Sequence, residues 1–342
     1  ALVMQQFDPG SFELSGDAVP VVNKIGYAPN RSKGVFSTSL DGVLVYLSVN
    51  RVGRSLSWID RDQNALIPMG NILIEDAAYL STDDSRVYYD SYDPVAKNFD
   101  IWMLEIGRNL KSRLTFDPAD DSDPVPSPDG SRVVFTTWKE GNELYIRNTS
   151  GSDEPALLQR SVSSALATDW SPDGKYILYQ DVDLTAAWSI YYRTMSGDSA
   201  TVPLVKTNFT EENAHFSPDG KWFAYNSDES ARNEVYVRSF PSARGKWQVS
   251  SGGGMRPYWD RKGSMLYYTN DQGIIGTAVD GTGPTFHVGE SRIIFRNPSQ
   301  AGLRLHGVTS DGKKFLVSHL PSNQYVVPLT LVTDWRRTVV SR

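Results

Sequence analysis

Among the groups that could do chemistry in this chain, His215 with Asp169 and Asp123 comes nearest to a catalytic or metal-binding constellation. A histidine beside carboxylates suits general acid–base work or metal ligation, since the imidazole titrates near neutrality and a carboxylate can orient it. The plainer reading is a polar channel holding ordered water. A second feature is the loop Asp117-Pro-Ala-Asp-Asp-Ser-Asp123. Asp117, Asp120, Asp121 and Asp123 supply the oxygen ligands that calcium accepts. The loop has neither the glycine nor the closing glutamate of an EF-hand, so a solvated acidic loop is the simpler reading. Calcium is the one cofactor it suggests. Trp138 and Trp188 could offer aromatic contacts to a protein or sugar, or simply pack in the core.

Several classes of function are excluded by what the chain does not carry. It contains no Gly-x-Ser-x-Gly elbow and no glycine-rich phosphate loop. With 34 Lys and Arg against 40 Asp and Glu the net charge is −6, and no basic cluster exists to hold nucleic acid. There is no cysteine to act as nucleophile, metal ligand or disulfide partner. No apolar run approaches the roughly 18 residues of a membrane helix. The opening ALVMQQFDPG lacks the basic and apolar regions of a signal peptide, so the expectation is a mature form or a part of something larger.

What must position these residues is a repeat. Residues 213–254 read as four strands, 214–217, 222–227, 234–240 and 246–250, separated by turn-forming segments. Ser-Pro-Asp-Gly joins the first two, with proline presetting φ, aspartate bonding its own backbone and glycine supplying positive φ. Ser127-Pro128-Asp129-Gly130 and Ser171-Pro172-Asp173-Gly174 repeat it. Weaker copies surround Asp41, Asp83, Lys262 and Asp311. Anchored at 41, 83, 129, 173, 219, 262 and 311, the copies lie 42 to 49 residues apart. A four-stranded unit of that period is the signature of a β-propeller. The expectation is one all-β domain over 1–342, a single β-propeller of four-stranded antiparallel blades. Seven blades are expected, with six as the alternative. Residues 1–28 would supply the strands that close the ring, and 328–335 a third strand for the last repeat.

The first strand of each blade should line the channel, with side chains alternating between channel and wall. Leu80, Trp170, Phe216, Trp259 and Val308 occupy the apolar phase. Tyr79, Asp169, His215 and Tyr258, with Asp123, Asn213 and Arg256 two residues further back, occupy the polar phase and should face the channel. Loops of variable length gather on one face, where binding usually resides. The expected binding surface is Asp121, Asp123, Asp169, His215, Arg256, Trp138 and Trp188.

The stretch Phe216 to Tyr225, FSPDGKWFAY, resembles TolB-type, WD-like propeller repeats of bacteria. More narrowly, 114–135 and 216–254 resemble the propeller at the C-terminal end of bacterial receptor-like serine/threonine kinases, and the likeness extends over about 1–335. It implies an extracytoplasmic, sensor-like or scaffolding module of a protein that is membrane-anchored elsewhere. Its expected partner is a protein, peptide or glycan, without nucleic acid or membrane insertion by this chain. The alternative is a propeller hydrolase or lyase that uses channel-mouth carboxylates and His215.

Overall fold

The structure, a computed structural model, describes residues 2–22, 27–28, 33–34, 36–39, 41–47, 53–93, 95–139, 142–151, 153–161, 164–182, 187–196, 201–297, 302–320 and 329–333. Apart from the 3-10 turn Ile106–Arg108, its regular elements are strands. The chain divides into two compact units, residues 1–53 with 321–342, and residues 54–320. This corrects the expectation of one repeating domain.

The larger unit contains six four-stranded antiparallel sheets, the smaller of the two blade numbers that the repeat allows. Blades 1 to 5 are meanders over 78–113, 120–159, 165–205, 211–248 and 255–296. Blade 6 is composite. Its strands Arg304–Val308 and Lys314–His319 come from late in the chain, whereas Arg54–Asp60 and Ala65–Ile74 come from early in it. The pairing that joins them runs from Lys314 opposite Asp60 to His319 opposite Ser55. The ring is therefore closed by 54–74 rather than 1–28.

The two segments expected to complete blades pair elsewhere. Leu2–Asp8 pairs with Glu13–Val22 as an isolated hairpin, while Leu329–Val332 pairs with Leu44–Leu47. Leu44–Leu47 also pairs with Phe36–Thr38, so the Asp41 copy belongs to a three-stranded sheet of the smaller unit. Its degenerate turn, Ser-Leu-Asp-Gly, lacks the proline that presets the stronger copies.

The turn chemistry explains why the blades begin where they do. Asp219 Oδ1 accepts from Ser217 Oγ at 2.6 Å and from the Lys221 amide at 3.1 Å, and Ser217 Oγ accepts from the Trp222 amide at 3.0 Å. Gly220 closes the turn at φ +69°. Blade 1 sets Asp84 in that place at φ +58°, a conformation aspartate tolerates, and its Oδ2 accepts from the Ser310 amide at 2.8 Å. These aspartates are turn locks on separate blades. Their bonds hold the Asp83 and Asp129 carboxyls down to about 2.

Six apolar clusters form, one at each junction between neighbouring blades. Trp222, Val235 and Val249 of blade 4 meet Trp259, Leu266 and Phe286 of blade 5, and equivalent sets fill the other junctions. At the junction of blades 6 and 1, Leu56, Ile72, Ile74 and Leu316 pack on Leu80, Val87, Tyr89 and Leu104. A sheet with two apolar faces needs a neighbour on each, and only a closed ring supplies one for every blade.

Leu56 is fully buried in that junction, so Leu56→Ala should cost about 3 kcal/mol, the usual range for a buried leucine. Denaturant unfolding checks this, and a loss under 1 kcal/mol would mean that the closing strand is not packed as described.

Candidate binding site in the central channel

The six first strands place two polar tiers along the axis of the larger unit. The inner tier is Tyr79, Asp169, His215 and Tyr258, from blades 1, 3, 4 and 5. Tyr79 Oη donates to Asp169 Oδ1, and the Phe216 amide donates to Asp169 Oδ2 at 2.7 Å. His215 Nδ1 lies 3.7 Å from the same oxygen, and its ring packs on Tyr258 at 4.1 Å between centroids. Burial, then the Asp169 charge, raises the Tyr79 hydroxyl pKa. In this tier both oxygens of the Asp169 carboxylate accept hydrogen bonds. Asp169 and His215 come together as expected, although the His215 ring lies 3.7 Å from Asp169, beyond hydrogen-bond range.

The outer tier is built from three bulges. Ser122 pairs with Thr136 and Val125 with Val134, so Asp123 and Pro124 together oppose Phe135 alone. The same irregularity sets Asn213 and Ala214 against Tyr225, and Arg256 and Pro257 against Tyr268. At each bulge the first residue is left-handed, with φ of +53° at Asp123, +55° at Asn213 and +53° at Arg256. A bulge re-aims a side chain. Here it breaks the alternation that would put Asp121 and Asp123 on one face.

Arg256 Nη2 lies 3.4 Å from Asp76, to which Arg304 is also paired. Asn226 Oδ1 accepts from Asn213 Nδ2 at 2.9 Å and from the Arg256 amide at 3.3 Å. Asp90, completely buried, accepts from the amides of Glu75 at 2.8 Å and Ala77 at 3.3 Å, fixing the segment that carries Asp76. Burial, then the Asp123 charge, raises the Asp90 carboxyl far above its usual range. Burial lifts Asp123 to about 6 against the pull of Arg256, and it raises Glu212 as well. The outer tier is thus a desolvated set of both signs, able to take donors, acceptors and charge.

Other expected residues lie elsewhere. Asp121 is buried against the junction of blades 1 and 2, where its Oδ1 accepts from Thr137 Oγ1 at 2.8 Å. Trp138, 44% exposed, donates to Ser122 Oγ, and Trp188 is half-buried at the start of a blade 3 strand. Residues 183–186 of the loop before Trp188 lie outside the described residues. The calcium candidates do not converge. Asp117 binds the Ala119 amide and Lys139, Asp120 the Phe99 amide, Asp121 Thr137 and Asp123 Ser122. Among the described residues no three Asp, Glu, His or Cys side chains form a metal-binding group.

Sequence reasoning missed Asp76, Asp90, Glu212 and Arg304. Asp90 was signalled by a charge inside the apolar strand sequence RVYYDSYD, whereas Asp76 and Arg304 join the site only through ring closure.

No family model matches the chain. Among solved structures, one described as TolB of Agrobacterium tumefaciens superposes with a TM-score of 0.59 at 15% identity, covering 79% of this chain and 99% of that one. The fold is that of a TolB-type propeller. An oligogalacturonate lyase of Vibrio parahaemolyticus shares it at a TM-score of 0.50 and 11% identity, covering 84% of this chain and 97% of that one. In sequence, the uncharacterised peptidase YuxL of Bacillus subtilis is 28% identical over 206 residues, which are 47% of this chain and 30% of that protein. The TolB-type fold therefore hosts proteins named for different activities, and fold alone does not choose among them. No helix among the described residues is long and apolar enough to cross a membrane.

Because Asp123 is raised from 3.8 to about 6 in the folded chain, its ionisation opposes folding. The cost is absent below about pH 4, grows between pH 4 and 6 and is constant above. Asp123→Asn should raise stability at pH 7.5 by about 1–3 kcal/mol and leave it unchanged at pH 3. Denaturation at the two pH values checks this, and equal effects would contradict it.

Proposed function

We propose that this chain is a non-catalytic binding module that takes a protein, peptide or glycan partner at the channel mouth. The observation that carries the reading is the set of three left-handed, non-glycine residues, Asp123, Asn213 and Arg256, at one equivalent position on three blades. Each such backbone costs on the order of 1–3 kcal/mol, and strain of this kind concentrates where ligands are held. Turn formation does not require it, since the bulges lie inside strands. The side chains it presents are an acid, an amide and a guanidinium, which suit recognition of a partner of mixed polarity. The two hydrogen bonds that engage Asp169 support the same reading, because a general base has to reach a substrate proton. The resemblance to receptor-kinase propellers adds an extracytoplasmic, sensor-like or scaffolding setting.

A second reading, a propeller enzyme, is favoured by one observation. Asp123 at about 6 and Glu212, also raised, are carboxyls shifted toward the range of a general acid. The lyase and the peptidase named above share the fold or part of the sequence. This reading moves the chemistry from His215 to the outer tier.

One experiment separates the two. The chain is incubated with peptide and oligosaccharide panels, and both retention and products are measured. The module reading expects retained ligand without turnover, with affinity falling at least tenfold in Arg256→Ala. Turnover that disappears in Asp123→Asn or Glu212→Gln would establish the enzyme instead.

A further inference from the structure

Where blades 5 and 6 border the channel mouth, the cations outnumber their partners. Arg54, Arg256 and Arg304 stand close enough together that burial, and then their three charges, hold the His306 ring far below its usual pKa. Arg54 is closed in, donating to Ser318 Oγ at 3.0 Å and to the Gly302 carbonyl. Arg256 and Arg304 are not, with side chains 19% and 34% exposed, and both converge on one carboxylate, Asp76, itself 46% exposed. Each reaches Asp76 through one terminal nitrogen. Their remaining side-chain N–H groups bond to nothing among the described residues, yet they are open to solvent. Burial lowers the pKa of both guanidiniums, the mark of a cation short of water and of acceptors.

The other acids of the mouth do not supply the missing acceptor. Asp90 is completely buried and accepts from two backbone amides, while Asp123 and Glu212, on blades 2 and 4, act on Arg256 by charge and form no ion pair with it. A guanidinium presents parallel N–H groups that match the two oxygens of a carboxylate. Because Asp76 uses a single nitrogen of each arginine, it leaves both forks half filled. A carboxylate from outside completes them, and Asp76 is exposed enough to turn away into water. A cationic group would meet three arginines instead. A phosphate would bring a second charge toward Asp123 and Glu212, whereas a carboxylate brings one.

We propose that the channel mouth takes its partner by a carboxylate, which docks on Arg256 and Arg304 in the place that Asp76 holds in the free chain. The inference rests on the binding-module reading and names the group recognised. Asp76 is then a resident stand-in that the partner displaces. An acidic peptide and a uronic acid both carry such a group, and the test separates the two.

The test is calorimetric titration of the full chain with tetraglutamate and trigalacturonic acid, beside tetraglutamine, tetralysine and inorganic phosphate. The expected result is saturable binding of at least one of the two acids, tenfold or more tighter than that of the other three probes. Arg304→Ala should weaken it at least tenfold and Arg304→Lys less, since lysine keeps the charge but loses the fork. Asp76→Asn should strengthen it about threefold or more by removing the competitor. A merely structural Asp76 would give the opposite sign, so weakened binding in Asp76→Asn overturns the proposal even if Arg304→Ala does not fold. Lys139→Ala, which removes an exposed cation elsewhere on that face, should leave binding unchanged. A loss there as large as in Arg304→Ala would show a general charge effect and overturn the proposal. Preference for tetraglutamine or tetralysine, or failure of both acids to bind at millimolar concentration, would overturn it while leaving the binding-module reading to its own panels. Turnover of a bound acid would overturn the non-catalytic reading and still support carboxylate docking.

Discussion

Everything in the larger unit depends on one seam, the antiparallel pairing of Lys314–His319 with Arg54–Asp60. Blades 1 to 5 are local meanders that could each form from one stretch of chain, but none can cover both apolar faces unaided. The seam converts five blades and two remnants into six junctions, each with its own buried cluster. Because the strands it joins are more than 250 residues apart in sequence, the ring gains its last junction only by closing a very long loop. That entropy grows only logarithmically with length, so one well-packed junction offsets it.

Closure also makes the axis. Side chains that would be solvated on an isolated meander are brought within reach of groups from other blades. Arg256 of blade 5 reaches Asp76 ahead of blade 1, and Tyr79 of blade 1 reaches Asp169 of blade 3. The inner tier uses that proximity to engage both oxygens of Asp169. The outer tier keeps raised carboxyls, the desolvated guanidiniums of Arg256 and Arg304 and three left-handed residues.

The sequence made the blades legible because their information is local. Ser-Pro-Asp-Gly encodes its own turn, and Trp170, Phe216 and Trp259 against Asp169, His215 and Tyr258 encode which phase is wall and which is channel. What it could not show were features created by distant pairing. The closing strand Arg54–Asp60 carries no turn motif that marks it as part of the last blade, whereas Leu329–Val332, with the same strand character, pairs elsewhere. Asp121 and Asp123 look like neighbours on one face until the bulge at Asp123 turns them apart. The carboxylates of Asp117, Asp120, Asp121 and Asp123 likewise take separate partners, so closeness in sequence did not become convergence in space.

The most direct test of the account is native-state hydrogen exchange at the seam. If the ring is closed as described, the amides of Arg54–Asp60 and Lys314–His319 exchange together, with a protection equal to that of the fully buried strand Trp222–Ser227 of blade 4. Exchange of 54–60 by local opening, while blade 4 stays protected, would contradict it.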